Sequence, residues 1–377
     1  MLGSDGNLYG TTNIGGSYGA GTVFKMTLGG KLTTLYSFCP TLGCTDGAFP
    51  VGLVQASNGN FYGTTSYGGS TRGGTIFEIS AAGKFKLLYT FCSKRNCADG
   101  YSPSSGPIQA SNGNLYGTTA LGGNYSNGAS GGTAYEITPT GLLKTLYSFC
   151  AEPNCADGQY PSVGLSQDSN GNFYGTASSG GAYGYGTVFE ITTTNQLITL
   201  HSFDFNDGAG PLTPPFQASD GNFYGMTIQG GAGIADGSIY EITSAGVFSS
   251  LFSFCGASSC IGQFPEYTLA QSTNGELIAA VFGGAYGYGM VFSYSIGVGP
   301  IVETVPKAAK VGARVIILGN GLTGSTKVSF NGTTAAFTVV SDTEITATVP
   351  VGATTGRVAV TTPAGTLYSN PAFQVTK

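Results

Sequence analysis

The segment GLVQASNGNFYGTTSYGGSTRGGTIFEISAAGKFKLLYTF, residues 52–91, carries the clearest signal for the fold of this chain. Four runs rich in β-branched and aromatic residues alternate in it with Asn-Gly, Gly-Gly and Ala-Gly steps, a pattern typical of an antiparallel four-strand meander. An Asn-Gly step favours a two-residue hairpin turn because both central positions need positive φ. The stretch has no helical period. We therefore predict that this unit is a four-stranded sheet.

The same unit recurs along the chain. Its SNGNFYG-like phrase appears six times, with central glycines spaced by 53, 54, 58, 50 and 54 residues, and such self-similarity is typical of a repeat array. A sheet of this size has two faces that no helix covers, and radial stacking buries both. We predict an all-β protein in which residues 1–297 form a β-propeller of about six four-stranded blades. A stacked β-solenoid and a string of independent sheets are the alternatives.

The two ends of the array are incomplete. The first repeat lacks its first strand and the sixth lacks its last, so 22 strands are predicted instead of the 24 of six full blades. The first residues, MLGSDGNLYG, begin inside a repeat and have no basic and apolar export signal. We interpret this start as a truncation.

Composition excludes some classes of partner. Only 9% of the 377 residues are charged and the net charge is −5, so no basic surface is expected to bind nucleic acid. No stretch approaches the roughly 20 apolar residues that span a bilayer. We expect a monomer that has no membrane span in these residues.

Eight cysteines form four pairs with the same C-x4-C spacing: Cys39 with Cys44, Cys92 with Cys97, Cys150 with Cys155, and Cys255 with Cys260. The equivalent place in the remaining repeat, HSFDFNDG at residues 201–208, lacks both cysteines. Joint presence and joint absence are expected of bonded pairs, so we predict four disulfides, each contributing roughly 2 kcal/mol through loop entropy. Metal binding is the alternative, but one such loop without a companion histidine cannot supply four ligands. Disulfides persist in oxidising compartments, which predicts an extracellular, cell-surface or periplasmic protein.

The recurring phrases DGNFYGTT, GTVFEIT and LTTLYSFC, together with the C-x4-C loop, resemble the GloVer repeat of bacterial surface proteins over residues 1 to about 297. The resemblance implies a location at the cell surface more than an activity. Residues 300–377, with the phrases ILGNGL, VSFNG and TATVP, are similar to an IPT/TIG immunoglobulin-like domain and predict a β-sandwich. Such domains usually serve as spacers or interaction modules.

Tyrosines in the Gly-Gly loops are the candidate ligand-binding residues, because an exposed tyrosine offers a flat apolar face with a polar tip. Packing within the loops is the alternative interpretation. The six candidates are Tyr18, Tyr125, Tyr183, Tyr185, Tyr286 and Tyr288.

Other polar residues receive structural interpretations. The only histidine, His201, stands where other repeats have Tyr or Phe and is predicted to pack. The glutamates of the FEIT-like strand are interpreted as a solvated strand face, with a ring that binds a cation or polar ligand at the axis as the alternative: Glu78, Glu136, Glu190 and Glu241. The aspartates that precede a glycine after the cysteines are interpreted as turn residues: Asp46, Asp99, Asp157 and Asp207. No catalytic residue, no metal site and no cofactor is predicted.

The leading hypothesis is a non-catalytic surface scaffold for binding or adhesion, with a glycan or protein ligand and the C-terminal sandwich as a stalk. One alternative is a polysaccharide lyase or glycoside hydrolase built on the propeller, although the repeat offers no obvious unique pair of acids. The other is a structural protein of the cell envelope.

Overall fold

The computed structural model describes residues 1–124, 130–161, 163–168, 170–232, 236–243, 245–254, 269–282 and 288–376. Apart from two three-residue 3-10 helices, the regular elements of these residues are β-strands. Consecutive antiparallel sheets form the blades of a β-propeller, and a β-sandwich follows them. The predicted fold class is confirmed.

Each blade is made of strands that follow one another in the chain and pair antiparallel. Blade 1 contains β1 (Leu8–Thr12), β2 (Thr22–Met26) and β3 (Leu32–Ser37). Blade 2 contains β4 (Ala48–Gln55), β5 (Phe61–Tyr67), β6 (Thr75–Ile79) and β7 (Phe85–Thr90). Blade 3 contains β8 (Ile108–Gln109), β9 (Leu115–Thr119), β10 (Thr133–Ile137) and β11 (Leu143–Ser148).

Blade 4 contains β12 (Ser166–Gln167), β13 (Phe173–Ala177), β14 (Thr187–Ile191) and β15 (Leu197–Ser202). Blade 5 contains β16 (Ala209–Pro211), β17 (Phe216–Gln217), β18 (Phe223–Gln229), β19 (Ser238–Ile242) and β20 (Phe248–Ser253). Blade 6 contains β21 (Ala270–Gln271), β22 (Leu277–Val281) and β23 (Met290–Tyr294). Because β16 and β17 both pair with β18, they are two segments of one interrupted first strand.

Successive side chains along each strand point to opposite faces of the blade, and both faces are buried. In blade 2, Phe61 and Phe77 pack with Tyr9 of blade 1, whereas Tyr62 and Ile76 pack in a second cluster with residues of blade 3. All five side chains are at most 1% exposed. Full burial of such a side chain contributes roughly 1.5–3 kcal/mol. The stability of each blade therefore depends on its neighbours, as the repeat pattern predicts.

A glycine in the second strand makes room for the ring of the third. Gly63 pairs with Phe77, and a Cβ atom added at Gly63 would lie 2.5 Å from Cζ of the Phe77 ring. The recurring Tyr-Gly step thus lets an aromatic ring lie directly over the neighbouring backbone.

Glutamines in the first strands of blades 2, 3, 4 and 6 tie these blades to the preceding one. Gln55 Oε1 accepts a hydrogen bond from the backbone N–H of Ser4 at 2.8 Å, and Gln55 Nε2 donates to the carbonyl oxygen of Gly59 in its own turn at 3.0 Å. We call the contact between such a glutamine and the preceding turn the glutamine link. The same link joins Gln109 to Ser57 at 2.7 Å, Gln167 to Ser111 at 3.1 Å and Gln271 to Ser219 at 3.0 Å.

The propeller has two different faces. Antiparallel strands reverse direction at each connection, so the turns between strands one and two and between strands three and four share one face, the turn face. The Gly-Gly loops between strands two and three share the opposite face, the loop face, with the cysteine loops between blades. On the loop face, the backbone N–H groups of Gly69 and Gly181 donate to the carbonyl oxygens of Cys44 and Cys155, both at 2.9 Å.

The C-terminal sandwich has its own apolar core, in which Val315, Ile317 and Val360 are fully buried. One sheet has the order β24 (Glu303–Val305), β26 (Arg314–Leu318), β30 (Glu344–Thr348) and β29 (Phe337–Ser341). The other has the order β28 (Thr333–Thr334), β27 (Lys327–Phe330), β31 (Val358–Thr362) and β32 (Gly365–Tyr368). A parallel pair joins β25 (Ala308–Lys310) to β33 (Gln374–Thr376). The division of the chain at residues 297 and 300 stays a prediction.

The sandwich contacts the turn face of the propeller. The side-chain amide of Asn320 donates to Thr273 Oγ1 at 2.9 Å, and the backbone N–H of Ile301 donates to the Thr273 carbonyl at 3.0 Å. Asn370 Nδ2 donates to the Gln217 carbonyl and to Gln271 Oε1, both at 3.1 Å. The predicted stalk is therefore hydrogen-bonded to blades 5 and 6.

Candidate functional site

The loop face presents the predicted tyrosines to solvent. The exposed fractions are 55% for Tyr18, 64% for Tyr183, 42% for Tyr185 and 95% for Tyr288. The two other candidates, Tyr125 and Tyr286, lie outside the described residues. The ligand-binding role of the tyrosines stays a prediction.

Tyr185 forms an exposed aromatic pair that the sequence analysis missed. Its ring centroid lies 5.2 Å from that of Phe205, with 55° between the ring planes, and Phe205 is 40% exposed. Tyr185 belongs to the Gly-Gly loop of blade 4, and Phe205 belongs to the loop between blades 4 and 5. With Tyr183 two residues away, the loop face carries three exposed rings at this blade junction.

Phe205 occupies the position of the second cysteine of the other loops. Its φ is +74° and its carbonyl accepts a hydrogen bond from the Gly231 N–H at 2.8 Å. Cys97 has a φ of +52°, and its carbonyl accepts from the Gly123 N–H at 2.9 Å. An aromatic residue that replaces a cysteine in one repeat was the signal that could have identified Phe205.

Disulfides close the other loops. In the described residues, bonds join Cys39 to Cys44, Cys92 to Cys97 and Cys150 to Cys155. Three of the four predicted pairings are confirmed, and the fourth, Cys255 with Cys260, lies outside the described residues.

An aspartate next to each described disulfide orders the loop. Asp99 is fully buried, and its carboxylate accepts hydrogen bonds from Tyr89 Oη at 2.7 Å, from the Ser93 N–H at 2.9 Å and from the Lys94 N–H at 3.1 Å. Burial and this carboxylate raise the pKa of Tyr89 to about 12. Asp46 and Asp157 accept from Tyr36 and Tyr147 in the same way, both at 2.8 Å. The predicted turn residues therefore act as acceptors for the loop backbone as well.

His201 takes the place of that tyrosine in the loop without cysteines. Its Nε2 lies 2.8 Å from Oδ2 of Asp207, and its ring stacks on Phe248 with centroids 3.6 Å apart. Burial acts to raise the pKa of Asp207, but the bonds from His201 and from the Asp204 N–H outweigh it and lower this pKa. The histidine packs as predicted and is also the partner of the loop aspartate.

Glu78, Glu136 and Glu241 are part of hydrogen-bonded clusters and Glu190 is buried, so the interpretation of these glutamates as a solvated strand face is wrong. Glu78 Oε1 accepts from Asn60 Nδ2 at 2.6 Å and from Tyr62 Oη at 3.3 Å, and the Glu78 side chain is only 16% exposed. Equivalent contacts hold Glu136 and Glu241. Each glutamate ties the third strand of its blade to the turn between the first and second strands.

Blade 4 departs from this pattern. Asp168 stands where blade 2 has the buried Ala56, and its Oδ1 accepts from the N–H groups of Asn170 and Asn172, both at 2.9 Å. Burial and the charge of Asp168 raise the pKa of Glu190. The two acids are only 8% and 7% exposed. Blade 4 therefore has a buried acidic pair that the sequence analysis did not identify.

Within the described ranges, no group of three or more His, Cys, Asp or Glu residues could hold a metal ion. In the same part of the chain, no helix is long and apolar enough to cross a membrane.

Family models match nearly the whole chain. The model of the Gloeobacter/Verrucomicrobia repeat matches residues 1–149 and 129–336. The chain belongs to the Gloeobacter/Verrucomicrobia repeat family. The IPT/TIG domain model matches residues 300–375 of this repeat protein, as the sequence resemblance implied. No curated protein matches the chain.

Solved structures similar to the repeat protein have low identity. The periplasmic gluconolactonase PpgL of Pseudomonas aeruginosa is 11% identical, with a TM-score of 0.45 and coverage of 91% of this chain and 96% of that one. A functionally unknown protein from Desulfotomaculum acetoxidans is 12% identical, with a TM-score of 0.42 and coverage of 98% and 97%. The endo-arabinase of Bacteroides thetaiotaomicron is 14% identical, with a TM-score of 0.37 and coverage of 71% and 100%.

Proposed function

We propose that this repeat protein is an extracytoplasmic, non-catalytic binding scaffold that takes a glycan or protein ligand on its loop face. The observation that carries the proposal is the group of exposed rings of Tyr183, Tyr185 and Phe205 at the junction of blades 4 and 5. Exposed aromatic rings with polar tips supply large contact area at low entropic cost. The sandwich contacts the opposite face, so it leaves these rings open to a ligand.

The location is supported by the disulfides. Three closed C-x4-C loops in the described residues are of the kind that oxidising compartments preserve. Export of the protein and its exposure at the cell surface are tested by protease accessibility on intact cells. Protection of the protein in intact cells, with cleavage only after lysis, would contradict this part of the proposal.

A glycan array and a pull-down with cell-surface extract test the binding function. We expect the Tyr183→Ala/Tyr185→Ala variant to lose at least about tenfold in affinity, equivalent to about 1.4 kcal/mol. The reason is that aromatic side chains that become buried on binding contribute most of the binding energy of an interface. Tyr368→Ala is the matched control, since Tyr368 is 50% exposed on strand β32 of the sandwich. Unchanged binding by the double variant, or equal loss in both variants, would contradict a site on the loop face.

The non-catalytic part of the proposal is tested by reducing-sugar release from polysaccharides. A glycosidase needs two carboxyl groups that flank the scissile bond, one with a raised pKa. Asp168 and Glu190 have that electrostatic pattern, but their low exposure opposes access by a sugar chain. Sugar release that disappears in Glu190→Gln would overturn the proposal.

A further inference from the structure

The glutamine links have a repeated hydroxyl contact. Gln55 Nε2 donates to Ser4 Oγ at 3.1 Å, and Gln271 Nε2 donates to Ser219 Oγ at 3.0 Å. In each case a side-chain amide from the next blade reaches the hydroxyl of the first residue of a turn. Such contacts join elements that are 51 and 52 residues apart in the chain.

Thr273 holds the corresponding turn position in blade 6, because the phrase TNGE at residues 273–276 aligns with SNGN at 57–60. The residue of blade 1 that corresponds to the linking glutamines is Leu2, because Leu2 pairs with Leu8 as Gln55 pairs with Phe61. A leucine has no amide to donate. The link therefore cannot form between Thr273 and residue 2.

An amide of the sandwich reaches Thr273 instead. Asn320 Nδ2 donates to Thr273 Oγ1 at 2.9 Å, the same pairing of amide and hydroxyl as in the propeller links. Asn370 Nδ2 extends the network to Gln271 Oε1, the atom that also accepts from the Ser219 N–H. The sandwich is thus hydrogen-bonded into the network at the last two blades.

The sandwich also faces the first two blades across a cleft of about 550 Å³, with Lys307 and Pro371 on the sandwich side and Asp5, Gln55 and Asn58 on the propeller side. The same domain therefore spans the turn face from blades 5 and 6 to blades 1 and 2.

We infer that the C-terminal sandwich is a clasp for the propeller: its Asn320 replaces the glutamine at the blade 6 turn and couples this turn to the sandwich, which also faces the first two blades. Local opening of the blade 6 turn is then opposed by the domain that follows the propeller in the chain. The coupling is intramolecular and independent of any ligand on the loop face.

Hydrogen exchange on the full chain tests the clasp. In Asn320→Ala/Asn370→Ala, we expect the backbone amides of residues 270–277 to exchange at least about tenfold faster, because local opening there becomes easier. Calorimetry should show a Tm lower than that of the wild type by about 2 °C, because the lost contacts also stabilise the folded chain.

Asn331→Gly is the control variant. Asn331 bonds only within the sandwich in the contacts described, to Thr354 Oγ1 at 2.9 Å, and glycine tolerates its φ of +43°. This control weakens the sandwich locally and should leave exchange at residues 270–277 unchanged. The clasp is refuted if the double variant exchanges like wild type there, or if the wild-type sandwich unfolds in a separate transition that leaves the blade 6 turn protected.

Discussion

The loop at residues 203–208, between blades 4 and 5, and the loop at residues 91–100, between blades 2 and 3, make the same contact with a Gly-Gly loop by different means. From Cys92 to Asp99 the chain advances by 7 positions, and from Asp204 to Asp207 it advances by 3, so the second loop is 4 residues shorter. Both loops keep an aspartate that accepts from the backbone. Only the longer loop has a disulfide.

The comparison shows what the disulfides do in this fold. Four residues lie between the cysteines of each C-x4-C loop, and the bond closes these residues into a small ring. Where the four residues are absent, the chain passes directly from the Asp204 position to the Phe205 position without a covalent bond. The disulfide therefore compensates for the flexibility of an insertion, and the aspartate fixes the loop in both cases.

The largest effect is expected from removing the aspartate of the longer loop. Asp99→Ala should lower the free energy of unfolding by about 3 kcal/mol, because it leaves several buried donors without an acceptor. Asp207→Ala should cost less, about 2 kcal/mol, since Asp207 accepts from fewer groups and its side chain is 22% exposed. Urea denaturation of both variants measures the difference. A larger loss for Asp207→Ala would contradict the stronger role assigned to Asp99.

Removing one disulfide should have the next largest effect. Cys92→Ser/Cys97→Ser is expected to lower the free energy of unfolding by about 2 kcal/mol. The reason is that opening a loop of this length increases the conformational entropy of the unfolded chain. A thiol reductant should destabilise the wild type in the same direction. Thiol titration of the native protein, for which we expect no free cysteine, provides the accompanying check; eight reactive thiols would contradict the predicted pairings.

A loop exchange separates the effect of the disulfide from that of the four additional residues. Replacement of residues 92–98 by the sequence Asp-Phe-Asn of residues 204–206, together with Tyr89→His, removes the disulfide and the insertion together. We expect this variant to lose less than about 1 kcal/mol, because the flexibility that the bond constrains is also absent. A loss equal to that of the double cysteine variant, measured in the same urea series, would show that the bond does more than close the insertion.

The smallest effect concerns acid stability. The pKa of Asp207 is lowered in the folded protein, so its ionised form stabilises the fold above the unfolded pKa of about 3.9, and this stabilisation is lost as the pH falls through the folded pKa. In Asp207→Asn, the free energy of unfolding should therefore depend less on pH in the acid range. The measurement is urea stability from pH 6 to pH 2, and an unchanged slope would contradict the role assigned to the contact with His201.

Much of the architecture was predictable from local sequence. The strands of the propeller follow from short alternating runs, and their order follows from Asn-Gly and Gly-Gly turns whose conformations depend on neighbouring residues. The cysteine pairing followed from equal spacing within one loop. These features involve residues close together in the chain, so they could be predicted from local sequence patterns.

The candidate site was predictable only in part. The exposure of Tyr183 and Tyr185 agreed with their Gly-rich loops, but Phe205 was missed because its pairing with Tyr185 joins two loops of different character. The role of Glu78 was misinterpreted because its partners, Asn60 and Tyr62, meet it only when the strands pair.

The repeat, the strand order and the disulfide spacing can be read from the amino-acid sequence alone, because each repeats one local set of conformational preferences. The glutamine links between neighbouring blades and the contact of the sandwich with the turn face arise only in the folded chain. The contact between Asn370 and Gln217 joins residues 153 positions apart, and no local pattern specifies such a pair. It forms because folding brings unpaired amide and carbonyl groups to one surface, where each needs a partner.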